Sequence, residues 1–338
     1  MRFEYDPSPQ QRTALRAQLD RLQHPGVVSQ ILDGKAPSAF TPASASVACS
    51  VESVHSDRFV LRALLRSDSG EGLARAYALK VFSDDLGERQ WAYLQALAAD
   101  QGADLGGLCL PSRYIAHERI LVFPWLDGVP LSTIVDGRTP ALLRQAAEVA
   151  AHLHRRAVVP EDPTTAEMIV EATRARCDRL RRGWPETTPI IEPLVAFLED
   201  ALAVLDPALP APVHGDMWSE HFLWTGDRLV LLDWDAFGYA DPAYDVGYFL
   251  AQLERRRLSE PALPAQAREW PACFRDAYLA VMPAVSPRNV SYYLGLTLIR
   301  KIYTVCRTQP QAAPRLVPQL AQRARAALLE AAGAGRAS

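Results

Sequence analysis

The spacing of hydrophobic and polar positions changes character about one third of the way along the chain. Three early runs alternate as half-buried strands do: Ser46–Val54, Arg58–Leu65 and Ala76–Phe82. The material between them, His55-Ser56-Asp57 and then Ser67 to Gly72, is what the turns of an antiparallel meander require. From Ser83 to Ala99 the period becomes helical, with Leu86, Trp91, Leu94 and Leu97 roughly on one face. Two more strand-like runs, Arg113–His117 and Arg119–Pro124, lead into Trp125-Leu126-Asp127-Gly128. Upstream, Ser8-Pro9-Gln10-Gln11 has the chemistry of a helix start: Ser8 can cap, Pro9 suits the first turn and Gln11 completes a capping box. That helix is expected over 8–23, ending before Pro25-Gly26. The small, polar stretch from Ala36 to Ser46, with Pro37 and Pro42, reads as loop.

Beyond Gly128 the pattern is helical. Helices are expected over Ala141–Arg156, Thr164–Arg182 and Ile191–Leu205, with four more helical stretches from Ala243 to Ala332. Two short strands near His221–Trp224 and Arg228–Asp233 interrupt them. A strand-rich third followed by a helix-rich remainder is an α+β arrangement of two lobes, here 1–125 and 126–338. No internal repeat is visible, and the tail from Ala331 to Ser338 is expected to fray.

Composition narrows the functional classes. At 338 residues, 49% hydrophobic and 22% charged, the chain is ordinary for a soluble globular protein. A net charge of -3 gives no argument for a nucleic-acid or anionic-membrane partner, and none is expected. No uncharged apolar run reaches the ~18 residues of a membrane span. The start, Met1-Arg2-Phe3-Glu4-Tyr5-Asp6-Pro7, has no apolar core of a signal peptide. The five scattered cysteines, Cys49, Cys109, Cys177, Cys273 and Cys306, contain no C-x-x-C and read as reduced thiols of a cytoplasmic protein. Only Lys35, Lys80 and Lys301 are lysines among 36 basic residues, which singles each of them out. Residues 191–250 hold eleven acids against one base, Arg228, whereas 251–338 hold thirteen bases against five acids. A concentrated acidic segment is what a divalent-metal site needs, although solvated helix faces give the same count.

The chemistry concentrates in that acidic segment. Val213-His214-Gly215-Asp216-Met217-Trp218-Ser219-Glu220-His221-Phe222-Leu223-Trp224 is followed by Leu231-Leu232-Asp233-Trp234-Asp235, then Gly238-Tyr239-Ala240-Asp241-Pro242-Ala243-Tyr244-Asp245. Apolar strand residues here deliver polar groups to loop positions, as a rigid scaffold presents catalytic side chains. Asp216, His221, Asp233 and Asp235 supply a base and hard metal ligands on two neighbouring strand–loop elements. Phosphoryl transfer needs those parts: a carboxylate to orient an attacking hydroxyl and ligands for a Mg²⁺ that bridges phosphates.

These segments resemble the H-G-D-x-x-x-x-N loop and I-D-W-x metal strand of the aminoglycoside phosphotransferase and choline kinase superfamily, over about Ser46 to Phe249. The resemblance implies a protein-kinase-like two-lobed fold with an antiparallel sheet and helix in the N-lobe and a mainly helical C-lobe. It implies an enzyme that moves the γ-phosphate of ATP (or GTP), with Mg²⁺, to a hydroxyl of a small molecule. By it, Asp216 is the catalytic base, Asp233 matches the kinase D-F-G aspartate, Asp235 is an auxiliary metal or water ligand, and His214 and Asp245 brace the loop. Ala76-Tyr77-Ala78-Leu79-Lys80-Val81 resembles the kinase V-A-I-K strand, with Lys80 on the α/β-phosphates. Its acidic partner is Glu88, unless the leucine spacing puts Gln90 in that slot. The phosphate-covering turn falls near Val51 to Asp57, where Ser53 and Ser56 can donate hydroxyl hydrogen bonds but no glycine is present. Leu121 to Gly128 resembles the hinge that holds adenine, through backbone groups around Phe123 to Trp125.

One departure from the pattern matters. Where the family usually has asparagine five residues after the base, this chain has His221, as the aminoglycoside 2''-phosphotransferases also have. Imidazole is a borderline nitrogen ligand, so a pseudokinase that binds a nucleotide or partner without transfer stands as the alternative. Structural zinc is not expected, because no cysteine or third histidine lies near His214 and His221. His152 and His154 are expected to pack or cap rather than react. Trp218, Glu220, Trp234, Tyr292, Tyr293 and Tyr303 are candidates for the wall of an acceptor site, against the simpler reading of core aromatics. An acidic cleft suits a polycationic aminoglycoside, whereas Arg255-Arg256-Arg257, Arg300-Lys301 and Arg307 suit an anionic or neutral acceptor; both remain open, as do monomer and homodimer.

Overall fold

The computed structural model describes residues 6–33, 45–67, 75–100 and 106–333. Of the loop expected from Ala36 to Ser46, residues 36–44 lie outside them and Ala45 and Ser46 belong to a strand; most of the turn from Ser67 to Gly72 and the end of the tail also lie outside. The described residues divide into two compact units, one of 6–33, 45–67, 75–100 and 109–128, the other of 106–108 and 129–333.

The N-terminal unit opens with α1 (Pro9–Leu22), where the capping box closes as its residue types require: the Gln11 N–H donates to Ser8 Oγ and the Ser8 N–H to Gln11 Oε1. After a two-residue turn at Gln23-His24 the chain becomes helical again. This second helix, α2 (Pro25–Asp33), starts at the proline expected to follow the end of the first. Pro25 suits a first helical turn, and Val28 and Leu32, four apart, bury completely or nearly so. The Arg113 guanidinium donates to the Ile31 and Leu32 carbonyls and satisfies the end of α2. Next come β1 (Ala45–Val54), β2 (Arg58–Ser67), β3 (Arg75–Phe82), α3 (Leu86–Ala99), β4 (Arg113–Ile115) and β5 (Ile120–Pro124). The five strands form one antiparallel sheet in the order β1-β2-β3-β5-β4. Leu15, Leu22 and Val28 of the two helices join Phe59, Leu61, Leu79, Val81 and Ile120 of the sheet in one core.

The C-terminal unit is helical around two small sheets. In chain order it contains β6 (Val129–Pro130), α4 (Thr139–His154), α5 (Ala166–Gly183), α6 (Thr188–Leu202), β7 (Ala211–Val213), β8 (Phe222–Trp224), β9 (Leu229–Leu231), β10 (Gly238–Ala240), α7 (Ala243–Ser259), α8 (Trp270–Val281), α9 (Pro287–Thr308) and α10 (Ala313–Gly333). β8 lies between β6 and β9, while β7 pairs with β10. This pairing matters for function: it places the β7–β8 loop (214–221) beside the β9–β10 loop (232–237). Gly215 marks how close they come. Its φ is +80°, and a Cβ there would stand 2.2 Å from the Ala236 carbonyl oxygen.

Helix α9 is the axis of this unit, buried from Asn289 through Arg300 with scarcely a break. Its start is fixed by Ser286, whose hydroxyl accepts from the Asn289 N–H. The Asn289 carboxamide in turn bonds Asp206 and Asp241. Helix α7 crosses α9 at Gly247, where a Cβ would come within 2.6 Å of the Leu294 nitrogen. Only glycine allows that approach. Gly247→Ala is therefore expected to destabilise the protein by about 2–3 kcal/mol, through overpacking against backbone that cannot yield; equilibrium urea unfolding measures it.

Candidate active site

The site of the C-terminal unit is built on a buried carboxylate. Asp245 lies in the first turn of α7, where a helix start favours negative charge, and its side chain has no exposure. Its two oxygens take the backbone of the 214–221 loop: Oδ2 accepts from the His214 N–H at 2.6 Å and Oδ1 from the Gly215 N–H at 2.8 Å. His154, at the end of α4, lies behind it, with Nε2 3.0 Å from Asp245 Oδ2 and Nδ1 2.6 Å from the Tyr278 hydroxyl. His154 is thus a buried brace of the loop, a role its place on an alanine-rich helix could not reveal.

His214 joins the two loops. Its Nε2–H donates to the Leu232 carbonyl at 2.8 Å. Burial, and secondly the neighbouring His221, hold its pKa below the usual imidazole value. A neutral ring with Nε2 protonated fits both its carbonyl partner and the Asp216 N–H that approaches Nδ1 at 3.4 Å.

Held by this backbone, the Asp216 carboxylate receives a short hydrogen bond on Oδ1 from the hydroxyl of Tyr248. The Lys301 ammonium donates to that same hydroxyl at 2.9 Å, so a chain runs from α9 through α7 to the loop. Tyr248 was not legible as a site residue, although it stands three positions after Asp245 on one helix face.

The second loop supplies Asp233, which adopts a left-handed backbone (φ 67°) just past the end of β9 rather than within the strand expected to carry it. Aspartate tolerates this conformation better than most residues, and it turns the carboxylate out of the strand register. Asp233 Oδ2 stands 3.4 Å from His221 Nε2. His221 Nδ1–H donates to the Asp216 carbonyl at 2.8 Å, while its Nε2 accepts the Trp218 indole N–H at 3.1 Å. The ring is therefore in the Nδ1–H form, with its one lone pair taken by the Trp218 N–H and Asp233 Oδ2 close by. Asp235 is half-buried two residues on. Among the described residues no three of His, Cys, Asp and Glu gather as a metal-binding group, so His221, Asp233 and Asp235 do not form a ready-made cage.

Several expected residues take other places. Trp234 is 1% exposed and packs on His214 and Phe237, so it is core and not an acceptor wall. Tyr292 and Tyr293 are likewise buried. Trp218 is half-buried and Glu220 exposed, which leaves both available to a ligand. In the N-terminal unit, Lys80 on β3 is 9% exposed with its ammonium 5.9 Å from the Phe82 ring centroid. Glu88 is exposed on the outer side of α3, whereas Gln90 is 3% exposed on the buried side with Leu86, Leu94 and Leu97. The glutamate therefore lies off the face on which the leucine spacing places a lysine partner. Ser53 sits inside β1, just past a bulge at Glu52, and the turn itself is confined to His55–Asp57. Phe123 pairs with Ala78 in the sheet. The Trp125 N–H is already given to the Ala76 carbonyl at 3.0 Å, so it is not an open donor for a base.

An antiparallel-sheet unit and a helical unit with two adjoining loops make up a protein-kinase-like fold. The chain belongs to the phosphotransferase enzyme family, whose model matches residues 62–284. Its fold is similar to that of a choline/ethanolamine kinase family protein from Mesorhizobium loti, at 14% identity over 93% of this chain and 100% of that one, with a TM-score of 0.59. It is also similar to aminoglycoside phosphotransferase APH(4)-Ia in ternary complex with AMP-PNP and hygromycin B, at 18% identity over 85% and 96% of the two chains, with a TM-score of 0.55. A choline kinase from Streptococcus pneumoniae gives 16% identity, 90% and 98% coverage and a TM-score of 0.56. No curated protein matches the chain by sequence.

Because Asp245 holds two loop N–H groups with both oxygens, Asp245→Ala leaves buried donors unpaired. The expected cost is about 3–5 kcal/mol of stability, read by thermal or urea unfolding. Asp245→Asn, which keeps one acceptor oxygen, is expected to lose less.

Proposed function

We propose that the protein transfers the γ-phosphate of ATP (or GTP), as its Mg²⁺ complex, to a hydroxyl of a small molecule. The observation that carries this reading is the pairing of a fixed carboxylate, Asp216, with a histidine–aspartate pair one loop away, on a family scaffold of phosphotransferases. Asp216 Oδ1 is occupied by Tyr248, which leaves Oδ2 to take the hydrogen bond of an acceptor hydroxyl and orient it for attack.

The donor set suits a nucleotide-borne Mg²⁺. Asp233 offers a carboxylate rather than a complete cage, and Mg²⁺ usually takes one or two carboxylates with the remainder from phosphates and water, while His221 Nε2 is a nitrogen donor that now accepts from Trp218. When bound, the ion neutralises charge on the phosphate oxygens. The Asp216 carbonyl holds His221 Nδ1, so one backbone group orients the base loop and the histidine of this reading together. Asp235 is the auxiliary ligand of this reading, and Lys80 the lysine that contacts the phosphates. The Trp218 indole N–H now on His221 Nε2 must yield for the ring to bind metal. That contact favours the second reading, a kinase-shaped binder without transfer.

The acceptor is a hydroxylated small molecule whose charge class stays open between a polycation and a neutral or anionic compound. A panel of hydroxy acids, sugars, choline, macrolides and aminoglycosides, scored for ADP or GDP release, identifies it. With the responding acceptor, Asp216→Asn is expected to lower turnover at least about a hundredfold while nucleotide affinity stays within about twofold of wild type. Turnover that survives the substitution would falsify the assignment of the base.

A further inference from the structure

We propose that Tyr248 and Lys301 are positioning residues for the base: Lys301 fixes the direction of the Tyr248 hydroxyl, and Tyr248 fixes the Asp216 carboxylate. The inference rests on Asp216 being that base. Its observations are geometric. Tyr248 is 9% exposed, its hydroxyl bonds Asp216 Oδ1, and the same hydroxyl receives the Lys301 ammonium at 2.9 Å, with Nζ 4.5 Å from the Tyr248 ring centroid.

The order of donors in this chain has one solution while Lys301 is charged. An ammonium has three donors and no acceptor, so the phenol oxygen must accept from it. The phenol proton then points to Asp216, whose carboxylate only accepts. One carboxylate oxygen is thereby held and the other is presented to the acceptor, in a single rotamer. A neutral amine can accept as well as donate. Loss of the Lys301 charge therefore frees the phenol proton to turn away, and Asp216 loses its fixed orientation.

The surroundings make that charge sensitive to pH. Burial comes first and holds the Lys301 pKa down at about 7, against the opposing pull of Asp216. Lys301 is faced by Asp216 from the catalytic loop, Tyr248 and Arg255 from α7, Arg176 from α5 and Arg300 beside it on α9. Burial and the Asp216 charge push the Tyr248 phenol up, so it remains protonated throughout. Because the lysine value is depressed, its charge is present below about 7 and is lost as pH rises through that value.

The rarity of lysine makes the test clean. Biosynthetic labelling with ¹³Cε-lysine gives three signals, from Lys35, Lys80 and Lys301, assigned by single Lys→Arg variants. The Lys301 signal is expected to titrate near neutrality and to move to lower pH in Asp216→Asn, which removes its attracting charge. A signal that titrates like an ordinary lysine and ignores Asp216→Asn overturns the proposal whatever the activity. Turnover supplies the second readout, as ADP release with the best acceptor of the panel. Tyr248→Phe and Lys301→Met are expected to lower kcat about tenfold with KM for ATP unchanged. Lys301→Arg, which stays charged, is expected to restore kcat and to remove the alkaline decline of the wild type. If Tyr248→Phe keeps the wild-type kcat and pH profile, the chain is only structural and the proposal fails. A wild type that releases no ADP with any acceptor overturns the phosphotransfer reading instead, and the lysine titration still decides whether the hydrogen-bonded chain exists.

Discussion

The two hydrogen bonds from the His214 and Gly215 backbone to the buried Asp245 carboxylate hold the rest of the site in place. They connect the start of α7 to the loop that carries Asp216, and they do so where no water can replace them. Hydrogen bonds to a charged group contribute about 1.5–3 kcal/mol each, and a buried carboxylate stripped of such partners costs more than that. The arrangement therefore has little freedom to relax. From it, His214 reaches the Leu232 carbonyl, so the fixed loop also fixes its neighbour.

Two short strand pairings make this possible. β7 with β10 and β8 with β9 bring the ends of two loops together, and Gly215 lets them meet without a side chain between them. Asp216 then acts on two neighbours at once: its carbonyl orients His221 while its side chain meets Tyr248. The contact of α7 with α9 at Gly247 sets Tyr248 against Lys301 in the same way. Site geometry in this unit follows from close backbone approach, which is why small residues sit at its crossings.

Much of the fold was legible in the chain because its signals are local. The Ser8 capping box, the alternation of β1 to β3 and the four helices after Ala243 were all readable from residues a few positions apart. Helix α2 was not, since Pro25-Gly26 reads as a stop and its apolar residues find their partners in a distant sheet. Asp216, His221 and Asp233 stood out by type and order. Their partners did not: Tyr248, His154 and Lys301 act through tertiary neighbours, and only the scarcity of lysine hinted at the last. Trp234 shows the reverse: residue type suggested a ligand wall, while packing buried it; of the two candidates for the Lys80 partner, Glu88 is exposed and Gln90 buried.

On the proposed function, His221 and Asp233 act with a metal-borne nucleotide rather than as a structural pair. Calorimetric titration of ATP into the protein, with and without Mg²⁺, tests this most directly, in wild type and in Asp233→Asn. Tight binding is expected only with Mg²⁺, with loss of that metal dependence in the variant. Equal ATP affinity with and without Mg²⁺ in the wild type, with no ADP formed, would contradict it and leave a kinase-shaped binder in its place.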